Sequence, residues 1–189
     1  MAVTINASTT AGLVTSADTS GNLDLQAGGV TKIAVTSAGV AVTGLSKASL
    51  PTGSVLQVVS SSPYTTVQST NTAAYSSTGV VANITPTSAT SKILIKYTGQ
   101  AYSDRSGGET LLAIYKNSGF LIGGYAIYTA SAGFITTSAN IEYLDSPATT
   151  STIEYRLYIK SNNGVAGAGI NPNNSTDIPS VITLMEIAA

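Results

Sequence analysis

The sequence has no cysteine, no histidine and no tryptophan among its 189 residues. Without cysteine the chain can form neither disulfides nor thiolate metal sites. Without histidine, the Ser–His–Asp and Cys–His catalytic arrangements and the usual zinc sites are excluded. A GxxxxGK[ST] phosphate loop is also missing. The chemistry open to this chain is therefore that of carboxylates, hydroxyls and amides, and we expect a protein without enzymatic activity and without a cofactor.

Charge is also scarce, at 9% of the residues and a net charge of -1, against about 25% charged residues in ordinary soluble domains. No basic stripe is present, so we expect no binding to nucleic acid. No segment approaches the roughly 18 apolar residues that span a bilayer, and we expect neither a membrane span nor a secretion signal. Because interface centres are depleted in charge, this composition suits large contacts between subunits.

The apolar residues recur with a period of two, which predicts β-strands rather than helices. In TIEYRLYIK, residues 152–160, Tyr155 is predicted to face inward and Tyr158 outward. About ten such strands follow Leu50, separated by turns rich in Gly, Pro, Asn and Ser. Short strands at this spacing, with no helical pattern between them, predict an all-β protein built on an antiparallel β-sandwich.

The first fifty residues differ from the remainder because they contain no Tyr, Phe or Pro. The stretch LSKASLPTG, residues 45–53, has the character of a junction, since Pro51 favours an extended chain and cannot donate to a sheet. We therefore predict two domains. Residues 1–50 form a small N-terminal β arm for attachment or oligomerisation, and residues 51–189 form the sandwich.

The arm segment GNLDLQAGGVTKIAVTSAGVAVTG, residues 21–44, predicts three short strands joined by tight turns. Such a small sheet is marginal in water on its own, and its edges are open to pairing. A closed arrangement of three copies about an axis would cover the apolar faces and pair the edges. The alternatives are an arm that lies against its own sandwich or is flexible. The predicted interface residues are Leu23, Leu25, Ile33, Val35, Val40 and Val42.

Two sets of segments resemble a known class of proteins. The run GGVTKIAVTSAGVAVTG resembles the N-terminal modules of bacteriophage tail fibres and other trimeric virion appendages. PTGSVLQVV, TPTSATSKILIKYTG, TIEYRLYIKSNNG and SVITLMEIAA resemble phage jelly-roll domains, similar in outline to the trimeric tumour-necrosis-factor-like fold. The resemblance implies a jelly-roll sandwich and a homotrimeric virion protein made in the host cytoplasm. The short chain favours a capsid decoration (cement) protein or a short head fibre, with the major capsid protein or another virion protein as partner.

A second interpretation is a tail-fibre tip that recognises a host surface polysaccharide through the outer loops SDRSGGE and NPNNSTD. Tyrosines in such loops could stack on sugars, although core or subunit contacts are the favoured explanation for most of the ten tyrosines. The loop oxygens could also hold calcium, but their spacing does not match an EF-hand, and turn formation explains them. The candidate contacts are Asp104, Arg105, Asn173, Asn174 and Asp177.

An enzyme would need two carboxylates that converge in a cleft, as in a glycosidase. Only two pairs of acidic residues are close enough in the sequence to share a loop region, namely Glu142 with Asp145 and Asp104 with Glu109. Solvated turns and strand edges explain both pairs, so no catalytic or metal-binding residue is predicted.

Overall fold

The computed structural model describes residues 23–43, 50–130, 133–162, 164, 167–174 and 176–189. The chain divides into two units, Met1–Ser49 and Leu50–Ala189. All of the strand pairings among the described residues are antiparallel, and the described part of the chain contains no α-helix. It also has no helix that could cross a bilayer. The all-β prediction is confirmed.

The first unit contains a three-stranded meander, as the alternation of its apolar residues predicted. Its strands are β1 (Leu23–Ala27), β2 (Val30–Thr36) and β3 (Gly39–Val42), paired in the order β1-β2-β3. Gly28 and Gly29 join β1 to β2 with φ of 60° and 75°. Two successive positive φ angles define the tight hairpin turn that matches strand twist, and glycine adopts them without a steric penalty.

The second unit contains ten strands among its described residues. They are β4 (Val55–Ser60), β5 (Gln68–Thr70), β6 (Ser76–Ile84), β7 (Lys92–Ser103), β8 (Gly108–Lys116), β9 (Gly119–Thr129), β10 (Ile135–Asp145), β11 (Ile153–Ser161), β12 (Ala168–Ile170) and β13 (Val181–Ile187). A short 3-10 turn covers Pro172–Asn174. Before β5 begins, Tyr64 makes a single isolated bridge to Ser180.

The strand order is that of a jelly roll. One sheet runs β4-β13-β7-β10, and the short strands β12 and β5 continue it beside the end of β7. The other sheet runs β6-β11-β8-β9. With β5 and β12 set aside, the eight long strands lie in the orders first-eighth-third-sixth and second-seventh-fourth-fifth. This double Greek key is the jelly-roll sandwich, and it confirms the predicted fold class.

The core lies between the two sheets and is built from alternate residues of the central strands. In β11 the buried residues are Ile153, Tyr155, Leu157 and Ile159, as the period-two pattern predicted. Ile93, Ile95 and Tyr97 of β7 face them from the other sheet, and all three are completely buried. Among the described residues, the members of this core all come after Leu50.

The strand directions give the sandwich two distinct ends. The base end carries the start of β4, the end of β13 and the β6–β7, β8–β9 and β10–β11 connections. Gly53 N donates to Ala188 O there at 2.7 Å, so the chain enters the sandwich beside its last strand. The loop end carries the β4–β6, β7–β8, β9–β10 and β11–β13 connections.

Candidate functional site

The six predicted arm residues lie on one face of the three-stranded sheet. The register pairs Leu23 with Val35 and Val35 with Val40, which forms one row across the strands. A second row joins Leu25, Ile33 and Val42. Directly paired residues of an antiparallel sheet point to the same side. Ile33 is partly buried and the other five side chains are exposed, up to 66% for Val40.

A β-bulge adds one residue to this apolar face. The pairing moves from Leu25–Ile33 to Gln26–Thr31, so β2 contains an extra residue at Lys32. Thr31 consequently shares the polar face with Asp24, and its hydroxyl donates to Asp24 Oδ2 at 3.2 Å. Val30, opposite Ala27, returns to the apolar face and is 52% exposed. Simple alternation could not find Val30, because a bulge reverses the side that each later residue faces.

The three-stranded sheet therefore presents an exposed apolar surface, which we call the arm face. Its members are Leu23, Leu25, Val30, Ile33, Val35, Val40 and Val42. Exposed apolar surfaces of this kind mark interaction sites in soluble proteins. The opposite face carries the polar side chains of Asp24, Gln26 and Thr31, which hydrogen-bond to one another. The sheet is thus two-sided, with one face suited to water and the other to a partner.

Both predicted outer loops lie at the loop end of the sandwich. Asp104 follows β7, and its Oδ1 accepts a hydrogen bond from Gly167 N, in the connection to β12, at 2.7 Å. Arg105 is exposed and lies 3.8 Å from Asp104 in a weak ion pair. Since Asp104 is already bound within the protein, Arg105 is the freer of the two for an external ligand.

The second loop is fixed by the residues around the 3-10 turn. Asn174 Oδ1 accepts a hydrogen bond from Val67 N at 2.8 Å, so this side chain holds two loops together. Asn173 lies in the turn itself, and its side chain is outside the described residues. Asp177 is exposed. Of the five predicted contact residues, Asp104 and Asn174 therefore have structural roles within the loop end.

A buried polar chain holds the loop end on the sandwich. Tyr97 Oη lies 3.0 Å from Ser180 Oγ, which donates to Asn171 Oδ1 at 2.8 Å. The Asn171 amide in turn donates to the carbonyls of Tyr64 and Thr66. Burial raises the pKa of Tyr97 to about 12, although the bond with Ser180 acts in the opposite direction. The phenol therefore stays protonated and the chain stays neutral at any physiological pH.

Four aromatic rings lie together on the outer face of the second sheet, away from the core. The Tyr115 and Tyr158 rings stack with centroids 3.8 Å apart, and Phe120 stands edge-on to Tyr115 at 5.7 Å. Tyr75 completes the group at 5.8 Å from Tyr115 and 6.0 Å from Phe120. We call Tyr75, Tyr115, Phe120 and Tyr158 the aromatic cluster. Its members come from three stretches of the sequence, at residue 75, residues 115–120 and residue 158, so no local sequence pattern identifies the cluster.

A glycine makes room for the cluster. A Cβ atom on Gly123 would lie 3.1 Å from Tyr75 Oη and 3.0 Å from Leu112 O. The bare backbone of β9 at this point therefore lets the Tyr75 side chain lie across the sheet. The Lys160 ammonium sits 4.9 Å from the centroid of the same ring, within range of a cation–π interaction.

The two acidic pairs are placed differently, and the carboxylates of Glu142 and Asp145 lie on opposite sides of β10. Glu142 faces outward and pairs with Lys96 at 3.1 Å. Asp145 is buried at the other side of the strand, where it accepts Lys116 Nζ at 3.0 Å and Tyr155 Oη at 2.7 Å. Asp104 is bound to Gly167, whereas Glu109 lies in β8. Within the residues that the structure describes, no group of three or more acidic side chains is placed to hold a metal ion.

Comparison with known proteins gives little similarity. No family model and no curated protein matches the chain. Dimeric latent PorU from Porphyromonas gingivalis is 8% identical with a TM-score of 0.32, over 73% of this chain and 14% of that one. The structure of infectious bursal disease virus, Gx strain, is 12% identical with a TM-score of 0.36, over 88% and 42%. This chain thus spans less than half of either protein, and the jelly-roll assignment rests on its own strand order.

Proposed function

We propose that this protein is a non-enzymatic virion structural protein, a homotrimeric capsid decoration protein or short head fibre of a bacteriophage. The arm would associate with sister chains or with the major capsid protein, and the jelly roll would project from the particle. The observation that carries the proposal is the arm face, a sheet of three strands with one side apolar and exposed. The sequence resemblance to phage virion appendages supplies the viral context.

The energetics of the arm face favour association. Complete burial of a Val, Leu or Ile side chain contributes about 1.5–3 kcal/mol. The exposed members of the face gain little of this in an isolated chain, and three strands alone are marginal in water. Coverage by other copies would supply the missing burial and would pair the free edges of β1 and β3 in a closed assembly.

The geometry of the sandwich supports a projecting domain. Leu50 begins the second unit, and Gly53 is held beside Ala188 at the base end. The loop end therefore lies away from the point where the arm joins the sandwich. A sandwich held at its base end would present these loops to the surroundings.

The mass of the purified protein in solution tests this proposal, measured with and without residues 1–49. We expect a trimer for the full chain, and a monomer with an unchanged melting temperature for the shortened chain, because the core lies entirely after Leu50. A full chain that is monomeric and binds no capsid would contradict the proposal. If the full chain is a trimer, a second measurement separates a decoration protein from a fibre, namely the binding of the purified protein to particles that lack it.

A second candidate is a tail-fibre tip that recognises a surface polysaccharide through the loops. The observation that favours it is the position of both predicted loops at the same, outward end, with Arg105 exposed. Loss of host-cell binding by Arg105→Ala, without loss of the trimer, would support this candidate over decoration.

A further inference from the structure

The aromatic cluster differs from an ordinary sheet surface because its rings are in contact with one another and yet not covered. Phe120 is 59% exposed, and the three tyrosines are only partly buried. An exposed apolar patch bordered by polar groups marks an interaction site. Here the polar border includes the hydroxyls of Tyr75, Tyr115 and Tyr158.

The positive charge beside the cluster narrows the class of ligand. Lys160 lies over Tyr75, and none of the ion pairs among the described residues includes it. Arg156, the next cation along β11, is held by Glu154 at 2.9 Å. The cluster therefore has stacking surfaces, hydroxyls and one available cation.

Three kinds of partner use aromatic surfaces, and these features distinguish them. Single-stranded nucleic acid stacks on aromatic rings but also needs a charged groove along its backbone, and one cation does not form such a groove. Contacts between copies of a protein are also enriched in aromatic residues, so the oligomeric mass of a cluster variant must separate this partner from a sugar. A sugar ring needs a flat apolar surface for its C–H face, with hydroxyls and charges around the edge.

We propose that the aromatic cluster binds a polysaccharide whose hexose units carry a carboxylate. The sugar rings stack on Phe120 and the exposed face of the tyrosine pair, the tyrosine hydroxyls donate to sugar oxygens, and Lys160 pairs with the carboxylate. The inference shares its ligand class with the second candidate function but uses the sheet face instead of the loops. It does not depend on the assembly role of the arm.

The hydroxyls of Tyr75 and Tyr115 are protonated at neutral pH and can donate hydrogen bonds to sugar oxygens. Burial, together with the neighbouring Tyr115, raises the pKa of Tyr75, and burial with Tyr158 raises that of Tyr115. Both phenols therefore remain protonated donors well above neutral pH, and the cluster adds no negative charge that would repel an acidic sugar.

The test is calorimetric titration of the full-length protein with alginate, an acidic polysaccharide, and with dextran, a neutral one. We expect alginate to bind and dextran to bind at least about tenfold more weakly. Because Phe120 has the most exposed ring of the cluster, Phe120→Ala should weaken alginate binding by about tenfold, which corresponds to ~1.4 kcal/mol. Lys160→Gln should remove most of the preference for alginate.

Two matched variants serve as controls. Tyr128→Ala removes a ring that is also 59% exposed and also lies in β9, but outside the cluster, and it should leave binding unchanged. Arg105→Ala, at the loop end, should also bind normally. Melting temperatures of all variants confirm folding.

The outcomes that would overturn the inference can be told apart. No binding of alginate, or equal binding of dextran, removes the proposed ligand class. Equal effects of Phe120→Ala and Tyr128→Ala remove the site. Loss of binding in Arg105→Ala alone assigns recognition to the loops. A lower oligomeric mass in Phe120→Ala without polysaccharide assigns the cluster to a contact between copies, whereas a monomeric wild type that still binds alginate leaves this inference standing and rejects only the trimer.

Discussion

Replacement of Val40 by Asp tests the arm face at its most exposed member. Complete burial of valine contributes about 1.5–3 kcal/mol, so coverage of the 66% that is exposed would contribute about 1–2 kcal/mol for each chain. Three chains would lose about 3–6 kcal/mol in total. That loss corresponds to about two to four powers of ten in the association constant, before the further cost of desolvating a carboxylate.

The next residue supplies the matched control. Ala41 is also exposed and also lies in β3, but it pairs with Ala34 on the opposite face. The lower strand propensity of Asp costs at most about 1 kcal/mol and applies to both variants. Sedimentation velocity over a wide range of concentration should show dissociation of Val40→Asp at concentrations where Ala41→Asp remains assembled. Equal behaviour of the two variants would refute the role assigned to the arm face.

Two further predictions concern the sandwich itself. Leu157→Ala should reduce the free energy of unfolding by about 2–5 kcal/mol, because Leu157 is completely buried between the sheets, and urea denaturation measures this loss; a change below about 1 kcal/mol would mean that the site collapses around the smaller residue. Burial of Glu186 raises its pKa, but hydrogen bonds from Thr87 and Gln57 lower the pKa to below the ordinary 4.5. The stability that this carboxylate contributes is therefore present above pH 4.5 and is lost as the pH falls below it, so Glu186→Gln should be less stable than wild type at pH 7 and should lose less stability on acidification. Parallel profiles of stability against pH for the two proteins would contradict this assignment.

The regular parts of the fold could be predicted because they depend on local pattern. The alternation in residues 152–160 predicted which side of β11 is buried, and Tyr155 and Tyr158 lie on the sides expected. The tight turn at Gly28–Gly29 and the positive φ of Asn117 follow from residue types that tolerate the left-handed conformation. The six arm residues share one face for the same reason.

The remaining features depend on pairing between distant strands, which a single sequence does not show. The register shift at Lys32 places Val30 on the arm face, although its position in the alternation predicts the opposite side. The aromatic cluster joins Tyr75 to Tyr158 across more than eighty positions, and Gly123 permits it by lacking a side chain. The hydrogen bonds that Lys116 and Tyr155 donate to Asp145 likewise form only when β8, β10 and β11 meet at the base end.

The hydrogen bonds that tie Gly53 to Ala188 and Ala188 to Ser54 have a practical consequence for engineering. A peptide fused after Ala189 would emerge at the base end, beside Leu50, where the second unit begins. A peptide inserted at Ser106, between β7 and β8, would instead emerge at the opposite pole. For displaying antigens or affinity handles, the exposed turn beside Arg105 is therefore the better graft position.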